Sequence, residues 1–127
     1  MLTACSTTSV WVSRMDLLRL LGKSVTVTVD RPLGTTHPHH KDIIYSINYG
    51  YIENLFAGDG EEQDAYILGV DEKFDNFMGT VIAIIHRIDD VEDKLVVAPE
   101  NTKFTSQEIM EKVNFQEQYF NIEIIMY

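Results

Sequence analysis

Gly79-Thr80-Val81-Ile82-Ala83-Ile84-Ile85-His86-Arg87 runs into Asp89-Asp90-Val91-Glu92-Asp93 and then Lys94-Leu95-Val96-Val97-Ala98, and this stretch decides the fold class. The first run is short, apolar and rich in β-branched residues, which describes a buried strand better than a helix. The second is shorter still. The acidic segment between them has the length of a hairpin loop, so the two runs pair antiparallel.

The same signals recur on both sides. Ser24 to Val29 alternates strictly, with Val25, Val27 and Val29 on one face and Thr26 and Thr28 on the other. That pattern predicts a half-buried strand. Further strands are expected over Ile43 to Tyr49, Asp64 to Val70 and Ile122 to Met126. Arg31 to His40 reads as a loop held by Pro32, Gly34 and Pro38, and Met15 to Leu21 as a short amphipathic helix stopped by Gly22. Thr105-Ser106-Gln107-Glu108 is a capping box. It opens a helix with Ile109, Met110, Val113, Gln116 and Phe120 along one side. Short strands with one clear late helix suggest a mainly β (α+β) chain closed into a five-stranded Greek-key barrel.

The 127 residues make one domain with a single modest core. Residues 1–14 are expected to be a disordered leader and 15–127 the folded part, with Met15 a candidate start. Met1-Leu2-Thr3-Ala4-Cys5 resembles a lipoprotein cleavage box, but no basic and apolar segments precede it, and an accidental match is expected. Cys5 is the only cysteine, so a reducing, cytoplasmic setting is expected. The net charge of −10 repels nucleic acid and anionic lipid, so no nucleic-acid and no membrane role is expected. An anionic substrate needs a bound metal or a locally positive pocket.

Two acidic clusters sit at strand ends. One is Asp59-Gly60-Glu61-Glu62-Gln63-Asp64, the other Asp89-Asp90-Val91-Glu92-Asp93 with Lys94. Gathered carboxylates repel unless a cation lies between them, and Mg²⁺ binds through a few carboxylates plus substrate phosphate. Lys94 shares a face with Val96 and Ala98, which places its ammonium at the barrel mouth. Arg31 and Lys94 are suited to phosphate oxygens, as a planar fork and a point charge respectively. Tyr45, Tyr49 and Tyr119 can donate hydroxyls to the same oxygens. Taken singly, each cluster reads first as a solvated turn. Their occurrence in one order is what argues for a site.

In that order the residues resemble the family I, soluble, Mg²⁺-dependent inorganic pyrophosphatases. The likeness runs from Val29-Asp30-Arg31 through Ile44-Tyr45-x-x-Asn48-Tyr49-Gly50-Tyr51, the Asp59-to-Asp64 signature, the Asp89-to-Lys94 hairpin with Leu95-Val96-Val97-Ala98-Pro99, and Phe115-x-Glu117-Gln118-Tyr119, over residues 24–127. It implies an OB-like five-stranded closed barrel with one or two flanking helices. It also implies Mg²⁺-dependent hydrolysis of pyrophosphate to two phosphates, with Mn²⁺ or Zn²⁺ as substitutes, and a homo-oligomer. By the same resemblance Asp59 and Asp64 are metal ligands, Asp64 bridging two metals, and Glu61 stands where an aspartate usually acts as general base. Asp89 with either Glu92 or Asp93 forms a second ligand set. Gapless counting from Lys94 selects Glu92, whereas chemical identity selects Asp93. Arg31, Lys94 and Tyr119 match phosphate-binding positions, and Tyr45 and Tyr49 match site tyrosines.

The departures define an alternative. The upstream glutamate, lysine and glutamate of the family are missing, because Asp16, Arg19 and Lys23 are wrongly spaced, and Phe120 replaces a late lysine. Glu61 is one methylene too long, which displaces a base by about 1 Å and is costly to rate. The alternative is a non-catalytic or differently specific metal- or phosphate-binding protein on the same barrel. His37-Pro38-His39-His40 is expected to be an exposed polar loop, with phosphate or transition-metal binding as its other reading.

Overall fold

A computed structural model describes residues 10–11, 14–57, 60–90 and 92–127. Among them the elements run β1 (Val10–Trp11), α1 (Arg14–Leu18), β2 (Ser24–Arg31), β3 (Asn48–Phe56), β4 (Glu62–Ile67), β5 (Asn76–Arg87), β6 (Asp93–Ala98), α2 (Ser106–Glu117) and β7 (Ile122–Met126). Five strands close a ring in the order β3-β2-β5-β6-β4 and back to β3. All its pairings are antiparallel except β4 with β6. β7 adds to β5 and β1 to β3 outside the ring. The expected mainly β barrel of OB-like form, with two helices, is therefore the fold.

The apolar runs are continuous because both faces of their strands are covered. Tyr66, Leu68, Ala83, Ile85 and Val96 pack with Ile109 and Val113 of α2. The intervening Ala65, Ile67, Val81, Ile84, Leu95 and Val97 pack with Val27 and with Leu17 of α1. A shift in register between Val81 and Ala83 puts Val81 and Ile84 on one face despite their odd spacing. Each fully buried Leu or Ile contributes about 1.5–3 kcal/mol.

Closing so small a ring forces backbones together. A Cβ on Gly50 would collide with the carbonyl of Thr28 on the neighbouring strand. Only glycine permits that approach.

Three expected elements move. The second strand is Asn48–Phe56 rather than Ile43 to Tyr49. Ile43, Tyr45 and Ile47 do point inward, which produced the strand-like alternation. Their backbone instead serves the preceding loop, with His37 N–H donating to Ile43 O at 2.9 Å and Tyr45 N–H to Thr35 O at 2.8 Å. The first helix ends at Leu18, and a turn then leads to Gly22 at φ +82°. The capping box forms as expected, with Thr105 Oγ1 accepting from Glu108 N–H at 3.1 Å and Glu108 Oε1 from Thr105 N–H at 2.8 Å. The buried stripe of α2, however, is Ile109, Val113, Gln116 and Glu117. Met110 faces outward and Phe120 lies beyond the helix. Most of the expected leader, 1–14, lies outside the described residues. Among the described residues no helix is long and apolar enough to cross a membrane.

Candidate functional site

Strand register gathers the mouth residues. Arg31 at the end of β2 pairs with Tyr49 near the start of β3. In the parallel pair, Ala65 lies opposite Leu95, so Asp64 and Lys94 stand side by side one residue earlier. A cavity of about 560 Å³ opens there, walled by Arg31, Tyr49, Asp64, Glu92, Lys94 and Tyr119 among the expected residues. His37, His40, Asp42, Ile43, Arg87, Gln116 and Phe120 complete the wall.

Lys94 is the centre of the acidic side. Its Nζ donates to Asp64 Oδ2 at 2.7 Å, Glu92 Oε1 at 2.8 Å and Tyr49 Oη at 3.0 Å. Tyr49 donates in turn to Asp64 Oδ2 at 2.8 Å. The lysine is only 3% exposed, so this ammonium is largely removed from water. Burial, and then the adjacent Asp64 charge, push the Tyr49 phenol well above the usual tyrosine range. It is a hydrogen-bond donor at neutral pH.

On the opposite side, Arg31 Nη1 donates to Tyr45 Oη at 2.6 Å, and Arg31 Cζ lies 5.6 Å from the ring centroids of both Tyr45 and Tyr49. Tyr45 is fully buried behind Arg31 rather than on the cavity wall. From it a polar chain crosses the core. Tyr45 donates to Gln116 Oε1 at 2.6 Å, Gln116 Nε2 to Tyr66 Oη at 2.7 Å, and Tyr66 to Glu117 Oε2 at 2.6 Å. Glu117 takes a two-point grip from Arg87, Nε to Oε1 at 2.9 Å and Nη2 to Oε2 at 2.7 Å. Arg87 Nη1 then reaches Asp90 at 3.3 Å and Glu92 at 3.4 Å, closing the circuit back to Lys94.

The other expected acids stand elsewhere. Asp59 lies outside the described residues. Glu61 is exposed and is not among the cavity walls. Asp89 is exposed and accepts the Asn121 backbone N–H at 3.3 Å. The two hairpin acids part: Glu92 lies on the side of Lys94 and lines the cavity, whereas Asp93 turns to His86 Nδ1 at 3.1 Å. The histidine loop is not wholly exposed. His37 and His40 line the cavity, and the His37 ring stacks on Tyr45 at 6.2 Å. Burial first, then the Arg31 charge, lower the His37 pKa.

A divalent cation must be judged against this donor set. Asp64 and Glu92 present two carboxylates to one point, which the Lys94 ammonium occupies, so a Mg²⁺ arriving with phosphate oxygens and water ligands would have to bind their outer oxygens or displace it. Among the described residues no group of three acids, histidines or cysteines is gathered closely enough to hold a metal alone. Two carboxylates do not cage a cation, and any cation here would share its ligands with a bound phosphate.

Sequence reasoning missed Arg87, Gln116 and Glu117. A signal existed: Arg87 continues the inward series Ala83, Ile85, and Glu117 continues the stripe Ile109, Val113. A charged residue extending a core stripe on each of two elements suggests a buried pair.

The fold has solved counterparts. An inorganic pyrophosphatase from Neisseria gonorrhoeae superposes with TM-score 0.60 at 18% identity, covering 77% of this chain and 74% of that one. That of Ehrlichia chaffeensis gives 0.62 at 15% identity, covering 81% and 85%. That of Helicobacter pylori gives 0.54 at 16% identity, with 82% of each chain covered. No family model matches the sequence, and no curated relative matches it. At these identities the likeness is one of fold.

Proposed function

We propose that the cavity binds pyrophosphate and, with Mg²⁺, hydrolyses it to two phosphates. The observation that carries this is the meeting of Asp64, Glu92 and Tyr49 on the buried Lys94 ammonium, in one cavity with Arg31 and Tyr119. The barrel it shares with inorganic pyrophosphatases supports it.

Arg31 holds phosphoryl oxygens, Tyr119 adds a hydroxyl donor, and Lys94, with its hydrogens given to Asp64, Glu92 and Tyr49, contributes positive charge. The buried network behind Arg31 keeps its guanidinium aimed without reorganisation during reaction, which is how fixed charges favour a transition state. Asp64 orients the attacking water and takes its proton. The water oxygen bonds to one phosphorus, the anhydride P–O bond breaks, and its electron pair departs on the second phosphate. Asp64 and Glu92 would hold a divalent cation, which would supply charge neutralisation and a more acidic water. Glu61, Asp89 and Asp93 are given no step, since they stand outside the cavity walls. Cytoplasmic location and a homo-oligomer belong to the same reading.

The test is phosphate release from pyrophosphate, tripolyphosphate and nucleoside triphosphates with Mg²⁺, Mn²⁺ or Zn²⁺. Pyrophosphate with Mg²⁺ should be preferred, and Asp64→Asn should abolish release. Unchanged release in that variant would sink the role of Asp64. One observation favours a second reading, a phosphate-binding protein without turnover: the Lys94 ammonium already fills the point between Asp64 and Glu92. A pyrophosphate-dependent rise in melting temperature with no phosphate released would select it.

A further inference from the structure

Arg87 is buried, 4% exposed, yet it forms part of the cavity wall. Two constraints fix its guanidinium. Glu117 grips Nε and Nη2, and the Phe120 ring lies 3.7 Å from Cζ. Glu117 is itself held by Tyr66, which is held by Gln116. The Nη1 contacts to Asp90 and Glu92 differ in kind. Asp90 and Glu92, at 3.3 and 3.4 Å, are near the long limit of hydrogen bonding, and their side chains are 30% and 25% exposed. A phosphate oxygen in the cavity would offer Nη1 a shorter, charge-assisted bond of about 2.8 Å.

We propose that Arg87 is an anion-binding residue of this cavity, a fixed guanidinium that grips a phosphoryl group directly and lets the site bind pyrophosphate without a divalent cation. The proposal rests on the reading that the cavity takes a phosphate anion. A chain of net charge −10 must overcome its own repulsion to admit one. The cavity wall offsets that excess locally, because Arg31, Arg87 and Lys94 stand on it against Asp42, Asp64 and Glu92. Lys94 is committed to Asp64 and Glu92, and Arg31 to Tyr45, which is neutral. Arg87 adds a second planar fork to that of Arg31. A purely structural Arg87, pinning α2 to the barrel through Glu117, is the competing account.

Calorimetric titration of pyrophosphate into the protein, in excess chelator and again in Mg²⁺, separates the two. Wild-type protein should bind in chelator. Arg87→Gln should weaken that binding about ten- to a hundredfold, the range expected for one lost bond to a charged group. Arg87→Lys should weaken it less. Because Arg87→Gln leaves Glu117 buried and unpaired, the double variant Arg87→Met with Glu117→Gln is included, its fold checked by thermal melting. Its binding in chelator should fall as far as that of Arg87→Gln. Binding by wild type in Mg²⁺ but not in chelator would overturn the inference while leaving the proposed function standing. A folded double variant that binds in chelator like wild type would overturn it too. No binding of pyrophosphate by wild type under either condition would overturn both.

Discussion

Asp64 and Lys94 are 30 residues apart in the chain and 2.7 Å apart at the barrel mouth. The parallel pairing of β4 with β6 brings them together, and Glu92 joins from the hairpin at 2.8 Å. Lys94 therefore has a structural task before any chemical one, since it separates two carboxylates that would otherwise face each other.

Lys94→Met removes that separation. Both carboxylates are about a quarter to a third exposed, so water softens the repulsion. We expect a loss of about 1–3 kcal/mol in urea unfolding, together with at least about a hundredfold loss of phosphate release. A variant with wild-type stability would show that the ammonium is not what holds Asp64 and Glu92 together.

Glu117→Gln breaks a pair with no water to soften it. Glu117 is 1% exposed and supplies both oxygens to Arg87. Removing one partner of a buried pair costs about 3–5 kcal/mol, whereas replacing both by neutral groups costs far less. Glu117→Gln should therefore lower the melting temperature more than Arg87→Met with Glu117→Gln does. The reverse order, read from thermal melts of the two proteins, would show that the pair is not energetically coupled.

Gly50→Ala tests barrel closure. The added methyl would meet Thr28 backbone, which cannot rotate aside as a side chain would. A destabilisation of about 3 kcal/mol or more is expected. An alanine variant that melts within a degree or two of wild type would mean that β2 and β3 are not so close.

These residues also show what could be read before the structure. The hairpin around Asp89 to Lys94 and the helix from the capping box were legible because local pattern alone specifies them. The convergence of Arg31, Tyr49, Asp64, Glu92 and Lys94 was legible only as an expectation that strand ends share one mouth. The displacement of the second strand was not legible, because inward alternation at Ile43, Tyr45 and Ile47 looks alike whether a ladder or a loop takes the backbone bonds. The Arg87–Glu117 pair left a trace, a charged residue extending a core stripe on each element, but local pattern does not join the two. Charged residues read as surface unless their partner, here at |i−j| = 30, is known.

Alkaline pH provides a test of the buried hydroxyl network as a whole. Burial, followed by the charge of Asp64 at Tyr49 and of Glu117 at Tyr66, raises both phenols well above the ordinary value of 10.0. In the unfolded chain the same groups ionise near pH 10. Their contribution to stability is therefore complete below pH 10. Above it, the unfolded state releases protons that the folded state keeps, and stability falls with rising pH. Urea midpoints should be level from pH 8 to about 9.5 and decline from there. Tyrosinate absorbance should show Tyr49 and Tyr66 titrating only as the protein unfolds. Ionisation of Tyr49 and Tyr66 near pH 10, in protein still folded by circular dichroism, would mean that they are not sealed against their carboxylates as the distances of 2.8 and 2.6 Å require.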